Sequence, residues 1–275
     1  MNGPVPRFLR LLLRAASHFT RDHGANHAAA VAYFSLLSLP PALLLTGRVL
    51  GYILPGTAGP EAALWAAATY LPEEVAPYLR NMGQSFASGG AIVAVAIPTL
   101  VWVALHAFSS LEIAINVAFG TTPQRRFLLS RLKAVAGLSG GVLLLGATLV
   151  ASHVASWLER YRARNGAPAF LSPRAHVVSS VALLAVTFAI FALFYKWLPR
   201  GKVAWSAAAR AAVVAVILWE ASRHFFGAIW AKSPAFGFLT GALAGTVAFL
   251  AWIYVAVAVT IYGAEVAALI NGNRA

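Results

Sequence analysis

The sequence predicts an all-α polytopic membrane protein with six transmembrane helices. Hydrophobic residues make up 60% of the 275 residues and charged residues only 11%, whereas soluble domains carry about 25% charged residues. Six segments are long enough to cross a hydrocarbon core, which needs about 20 apolar residues. Small residues in these segments recur at three-residue or four-residue spacing, which favours helices over a β-barrel.

Residues 1–24 are predicted to form an amphipathic interfacial helix before a single transmembrane domain of residues 25–275. The basic residues of this helix recur every three or four positions, which places them in one narrow stripe. We expect four arginines of the stripe to contact lipid head groups: Arg7, Arg10, Arg14 and Arg21. An ordinary solvated basic face before the first span is the alternative.

The predicted transmembrane helices follow one another with short connections. Their approximate ranges are 25–53, 88–119, 131–157, 175–198, 203–231 and 237–271. An even number of spans places both termini on the same side, and that side carries more Lys and Arg, so it is predicted to be cytoplasmic. In the long connection after the first span, Trp65, Tyr70 and Tyr78 indicate one or two short helices on the outer leaflet.

The first span, GANHAAAVAYFSLLSLPPALLL, carries two adjacent prolines, Pro40 and Pro41. A proline lacks an N–H group, so the carbonyls of Leu36 and Leu37 lose their helical partners and a break in the helix is predicted. The freed carbonyls could be satisfied by water, ion or substrate in a cavity, or by serine hydroxyls and a neighbouring helix. The other candidate cavity residues of this span are Tyr33, Ser35 and Ser38.

The second span ends in HAFSSLEIAINVAFG, where polar side chains share one side of the helix. His106, Ser109 and Asn116 lie on this side, and Glu112 lies at its margin. Polar groups at membrane depth are costly, so they are expected to face the bundle interior. Either they line a substrate or ion path, or they form interhelical hydrogen bonds that fix the packing.

In the fifth span, Glu220 precedes Arg223 by three residues and His224 by four. Pairing on one helical face lowers the cost of insertion, so we favour a structural role over a gate.

The sixth segment begins with glycines at four-residue intervals, Gly237, Gly241 and Gly245, which predict close helix packing. Near its end lies Glu265, which is expected either to face inward or to reach the interface.

Composition and motifs exclude several other functions. The formal net charge of +13 is attributed to lipid head groups and topology, and nucleic acid is not expected as a partner. The absence of cysteine excludes thiolate metal sites and cysteine nucleophiles. The scattered histidines and few carboxylates do not form the acid, base and metal site that a ribonuclease needs. We therefore predict no catalytic residues, no metal and no cofactor.

Four stretches in order resemble the YihY/virulence factor BrkB family of bacterial inner-membrane proteins. They are AAAVAYFSLLSLPP, FSSLEIAINVAFG, FYKWLPRGKVAW and FGFLTGALAGTVAFLAWIYVAVAVTIYGAEVAALIN. The resemblance implies six transmembrane helices with cytoplasmic termini, a link to serum resistance and, in some members, lipid or envelope transport; the old ribonuclease label of the family is regarded as a mistake. The residues that match family motifs are Tyr33, Pro40, Asn116, Arg131, Gly263 and Glu265.

The chain departs from the family before the last span. Where members often have a tyrosine and a small polar residue around a glycine, this chain has Phe236, Gly237 and Phe238. A hydrogen-bonding role at that position is therefore not carried over from the family to this chain.

Two functions remain open from the sequence. The first is a transporter or lipid-flippase-like protein for an anionic lipid or another envelope substrate, with the prolines, polar seam and carboxylates lining a cavity. The second is a non-transporting scaffold for envelope integrity. Both predict anionic membrane lipids as partners, and a homo-oligomer or an envelope protein partner is possible in either case.

Overall fold

The computed structural model describes residues 7–53, 90–121, 172–232 and 241–274. Within these ranges the chain forms six helices and no strand. The helices are α1 (Arg7–Arg21), α2 (Gly24–Ile53), α3 (Gly90–Ala118), α4 (Ser172–Trp197), α5 (Trp205–Lys232) and α6 (Gly241–Asn271). The all-helical prediction is therefore confirmed for the described residues. The predicted third span and the predicted outer-leaflet helices lie outside them, as does Gly237.

Three segments of the described helices are long and apolar enough to cross a membrane. They are Pro98–Ala118, Trp205–Phe226 and Thr246–Asn271, and a shorter apolar segment is Leu184–Trp197. These segments agree with a membrane protein, while the exact number of six spans stays a prediction. Helix α1 occupies the range expected for the N-terminal helix, and its position in the head-group plane likewise stays a prediction.

Helix α6 lies at the centre of the described helices and packs against α1, α2, α3 and α5. Small side chains on α5 are fully or almost fully buried: Ala207, Ala208, Ala211, Ala212 and Ala215. In lipid there is no hydrophobic driving force between helices, so their association depends on close packing, which short side chains allow. Near the middle of α6, Trp252 is buried against the rings of Trp219 and Phe226, whose centroids lie 5.2 and 5.5 Å from its own.

Gly263 of α6 is required by the close approach of α4. A methyl group at this position would lie 2.0 Å from the hydroxyl oxygen of Tyr195, far inside van der Waals contact. The buried Tyr195 hydroxyl donates a hydrogen bond of 3.1 Å to the carbonyl of Thr260. Gly263, two residues before Glu265, therefore leaves space for the tyrosine that joins α4 to α6.

Helix α2 continues through Pro40 and Pro41 without ending, so the predicted break in the first span is wrong. A proline inside a membrane helix is tolerated when the backbone groups that it frees form hydrogen bonds with other partners. The Ser38 hydroxyl donates to the carbonyl of Ser35 at 2.8 Å, and not to the carbonyls that the prolines release. Helix α3 contains a further internal proline, Pro98, and it is also continuous.

Candidate functional site

The C-terminal end of α3 carries two almost fully buried polar residues, Glu112 and Asn116, which are 3% and 1% exposed. The Asn116 amide nitrogen donates to the Glu112 carbonyl at 2.7 Å. The Asn116 side-chain oxygen accepts from the backbone N–H of Arg200 at 2.9 Å and from the Thr121 hydroxyl at 3.1 Å. Asn116 thus fastens the end of α3 to the connection between α4 and α5.

Arg200 also reaches the other buried residue of α3. Its guanidinium lies 3.6 Å from a carboxylate oxygen of Glu112. A buried carboxylate requires a cation or hydrogen bonds to offset its desolvation, and Arg200 supplies the cation. The sequence motif FYKWLPRGK placed Arg200 in a loop, but the motif gave no sign that this arginine faces the second span.

The C-terminal end of α6 is held to the same connection. The Asn271 side chain accepts a hydrogen bond of 2.9 Å from the Ala204 N–H and donates one of 3.1 Å to the Lys202 carbonyl. The Lys196 ammonium donates to the Val203 carbonyl at 2.6 Å. The ends of α3, α4 and α6 and the start of α5 therefore lie together at one end of the bundle.

Arg274 joins this end of the bundle to α1. Its guanidinium forms an ion pair with Asp22, lies 3.1 Å from His18 Nδ1 and lies 3.6 Å from a carboxylate oxygen of Glu265. It also donates a hydrogen bond to the carbonyl of Val117 on α3. Four groups thus converge on one arginine, and they come from α1, the turn after it, α3 and α6.

The turn after α3 leaves space for Arg274. Gly120 has a φ of 70°, and the Thr121 N–H donates to the Asn116 carbonyl at 2.9 Å, as in a Schellman C-cap. The Arg274 Nε atom lies 3.5 Å from the point where a Gly120 side chain would begin. At this distance a side chain would only be in ordinary van der Waals contact with Arg274, so the left-handed backbone is what favours glycine here.

Glu265 is fully buried, and neither of its carboxylate oxygens accepts a hydrogen bond from the described residues. Its neutralising contact is with Arg274. Together His18, Asp22 and Glu265 offer three metal-ligating atoms within 4.8 Å of one another. Because the Arg274 guanidinium contacts all three groups, an organic cation already holds the position where a metal would bind.

We call the two groups of contacts the helix-end network. It consists of the residues Asp22, Glu112, Asn116, Arg200, Glu265 and Arg274. Three of these were candidate site residues from the sequence, Glu112, Asn116 and Glu265, and the structure brings them to one end of the bundle. The sequence analysis missed the roles of Asp22, Arg200 and Arg274, because each lies beyond the end of a helix, where helical spacing does not indicate which side chain it contacts.

The other candidate residues lie elsewhere. Tyr33 is exposed and its ring contacts Phe34. His106 Nδ1 donates a hydrogen bond of 2.7 Å to the Trp102 carbonyl, and the His106 ring also contacts Phe34. Ser35, Ser38 and Ser109 are half-buried. Pro40 and Pro41 lie on α2 beyond the side chains that the structure describes, and Gly241 and Gly245 lie in the first turns of α6.

Glu220 and Arg223 form an ion pair of 3.3 Å within α5, with both side chains partly exposed. Fifteen residues of helix separate Glu220 from the start of α5, which corresponds to about 23 Å. This pair is therefore distant from the helix-end network. The structural role favoured for this pair from the sequence stays a prediction.

A cavity of about 320 Å³ lies beside the network, between α1 and α6. Its walls are Arg7, Arg10, Leu11, Arg14, Leu269 and Arg274. Three of the four arginines predicted to contact lipid head groups line this cavity, and Arg21 does not.

Comparison with known proteins identifies relatives over nearly the whole chain. The model of the family described as virulence factor BrkB matches residues 15–275. A UPF0761 membrane protein of Vibrio atlanticus is 27% identical over 266 residues, which cover 96% of this chain and 82% of the relative. A UPF0761 membrane protein of Vibrio cholerae is 26% identical over 96% of this chain and 86% of the relative.

A UPF0761 membrane protein of Rhodospirillum centenum is 28% identical over 99% of this chain, and the chain spans 60% of the length of that relative. No solved structure is significantly similar to the chain.

Proposed function

Because the chain belongs to the virulence factor BrkB family of membrane proteins, we propose that it transports an anionic lipid or another anionic envelope substrate across the bacterial inner membrane. In this proposal both termini are cytoplasmic, the protein is not an enzyme, and the helix-end network is the closed cytoplasmic gate. The observation that carries the proposal is the pair of carboxylates buried in apolar helices, each neutralised by an arginine from a segment outside its helix.

The first support is the free-energy cost of burying two carboxylates in apolar helices. Glu112 and Glu265 are 3% and 0% exposed on helices that are apolar enough to span a membrane. Ionised groups in such helices are rare and, where they occur, commonly belong to substrate or ion paths. Apolar residues would pack the same positions at no such cost.

The second support is the way in which the ion pairs connect the helices. Arg200 links α3 to the α4–α5 connection, and Arg274 links α6, α1 and α3. Opening this end of the bundle would require the ion pairs to separate. Charged pairs that span several helices are suited to that role, because an anionic substrate can exchange for the carboxylate at each arginine.

The alternative function is a non-transporting scaffold. It is favoured by Asn116, whose amide nitrogen and oxygen are both satisfied by protein groups, and by the closely packed alanines of α5. In this reading the network fixes the ends of the helices for docking of a partner, and nothing crosses the membrane.

Reconstituted liposomes separate the two functions. We would measure the movement of fluorescent anionic phospholipids and of anions for the wild type, Glu112→Gln and Arg200→Gln. The matched control is Glu220→Gln, which removes a carboxylate from an ion pair within one helix. We expect wild-type flux above that of empty vesicles, a changed rate in both gate variants and an unchanged rate in the control.

Wild-type flux equal to that of empty vesicles for every probe would overturn transport in favour of the scaffold. Flux in which Glu112→Gln, Arg200→Gln and Glu220→Gln all equal the wild type would retain a transporter but remove the gate from the helix-end network.

A further inference from the structure

The cavity between α1 and α6 is unusual because cations dominate its walls. Among the described residues that line it, four are arginines and two are leucines, Leu11 and Leu269. Its volume of about 320 Å³ lies at the lower end of the range found for small-ligand sites. Guanidinium groups around one recess repel each other unless an anion lies between them.

Three of these arginines carry no compensating charge. Arg7, Arg10 and Arg14 are exposed, and none forms an ion pair or hydrogen bond with the residues that the structure describes. By contrast, Arg274 is engaged with Asp22, Glu265 and Val117. Three unengaged guanidinium groups at three-residue and four-residue spacing present planar donor forks, which match the oxygen atoms of a phosphate.

The surroundings of the cavity favour a lipid phosphate over a soluble one. Helix α1 exposes the large apolar side chains Phe8, Leu9 and Leu13, which are 60%, 44% and 59% exposed. Such side chains on a basic helix are typical of a helix that lies in a membrane surface. The other wall belongs to the end of α6, which is apolar enough to span the membrane. Both walls of the cavity therefore favour a lipid phosphate as its ligand.

We propose that this cavity binds the phosphate of an anionic phospholipid head group, with Arg7, Arg10 and Arg14 contacting the phosphate oxygens and Leu11 and Leu269 packing against the adjoining glycerol. This binding does not require transport, so it holds for a transporter and for a scaffold alike. It also distinguishes Arg21, which lies in the same stripe but seven residues beyond Arg14, or about 10 Å along the helix.

Arg274 connects the cavity to the helix-end network, because its side chain belongs to both. Its side chain forms part of the cavity wall and also neutralises Asp22 and Glu265. A phosphate in the cavity competes with these carboxylates for the same guanidinium. Occupancy of the cavity is therefore coupled to the contacts that hold α1, α3 and α6 together, and the coupling is reciprocal.

The binding is tested with the purified full chain in a neutral detergent. Probes are dihexanoyl phosphatidylglycerol, the zwitterionic dihexanoyl phosphatidylcholine, glycerol 3-phosphate and inorganic phosphate, and affinity is measured by thermophoresis. The variants are the double substitution Arg10→Gln/Arg14→Gln and the matched control Arg21→Gln. All three side chains are exposed, so the variants are expected to fold, and circular dichroism checks this.

We expect the anionic lipid to bind the wild type most tightly. The double variant should bind it ~10-fold more weakly or worse, because charge-assisted contacts to phosphate are lost, and Arg21→Gln should stay within about twofold of the wild type. Equal affinities for the double variant and for Arg21→Gln would overturn the cavity as the site. Inorganic phosphate or glycerol 3-phosphate binding as tightly as the lipid would overturn a lipid in favour of a soluble phosphate ligand.

A failure of this assay is distinguishable from a failure of transport, because no flux is measured. Lipid binding without flux in the liposome assay would retain the cavity and remove the transporter. Flux without specific binding would retain the transporter and remove the cavity.

Discussion

Glu112 and Glu265 are both buried carboxylates near the ends of apolar helices, and each lies 3.6 Å from an arginine. Their arginines nevertheless differ. Arg200 is anchored through its backbone, since its N–H donates to the buried Asn116. Arg274 is held only through its side chain, which contacts Asp22, His18, Glu265 and Val117 and also lines the arginine cavity.

Equal ion-pair distances therefore do not imply equal roles. The Glu112 pair is part of a hydrogen-bonded joint in which backbone and side chain act together, so it is suited to hold α3 against the α4–α5 connection. The Glu265 pair shares one cation among several acceptors, and neither Glu265 oxygen accepts a hydrogen bond from the described residues. We therefore interpret the first region as a fixed joint, which separates only when the gate opens, and the second as an exchangeable contact, which can change partners while the gate is closed.

The largest expected effect is that of Arg274→Ala. The substitution leaves Asp22 and Glu265 without their shared cation, and removing one partner of a buried ion pair typically costs about 3–5 kcal/mol. Chemical denaturation in detergent micelles should show this loss in the free energy of unfolding. Adding Glu265→Gln should recover part of it, because one uncompensated charge is then removed.

The control for this prediction is Arg210→Ala. Arg210 is exposed and donates to a carbonyl of its own helix, at Ser206, so a change of at most about 0.5 kcal/mol is expected. Equal stabilities of Arg274→Ala and Arg210→Ala would show that Arg274 does not join the helices.

A smaller effect is expected for Asn116→Ala in the fixed joint. The substitution leaves the Arg200 N–H without its acceptor, whereas the Thr121 hydroxyl keeps the backbone carbonyl of residue 116 as its acceptor. An unsatisfied polar group costs about 1–3 kcal/mol, so we expect a loss of about 1–3 kcal/mol in the free energy of unfolding and faster amide hydrogen exchange at Arg200. The exposed Asn273 provides the control, and a slow exchange rate retained at Arg200 in Asn116→Ala would contradict the joint.

The smallest effect separates the two carboxylates directly. In Glu265→Gln, Arg274 keeps Asp22 as its partner and a buried charge without hydrogen bonds is lost, so we expect a change within about 1 kcal/mol. In Glu112→Gln the ion pair of the fixed joint is lost, and the destabilisation should be larger by about 1 kcal/mol. Thermal unfolding of both variants side by side measures the order, and the reverse order would remove the distinction between joint and exchangeable contact.

Much of the helical architecture was accessible from the sequence. The ranges predicted for the first, second, fourth, fifth and sixth spans agree with α2 to α6, because long uninterrupted apolar runs leave few alternatives to a helix. The break at Pro40 and Pro41 was predicted wrongly. Loss of two backbone donors is visible in the sequence, whereas the groups that allow a helix to continue past them belong to its surroundings.

The candidate site was only partly predictable. Polarity within apolar segments identified Glu112, Asn116 and Glu265, since a charge at such positions is conspicuous against its neighbours. Their partners were not identified, because Arg200 is 84 residues from Asn116 along the chain and Arg274 lies beyond the end of α6, more than two helical turns after Glu265. Helical periodicity relates residues only within a turn or two, so it carries no information on such pairs.

The amino-acid sequence is enough to identify a helical membrane protein in which a few helices carry costly polar groups, and its motifs indicate the family. Composition and local periodicity give the first two conclusions, because these depend on the transfer of each segment from water to hydrocarbon. The packing of the helices decides which cation meets which carboxylate, and which three of four similar arginines surround a cavity. Those contacts depend on how helices distant in sequence pack together, and the energy of a charge is set by what lies within a few ångströms of it.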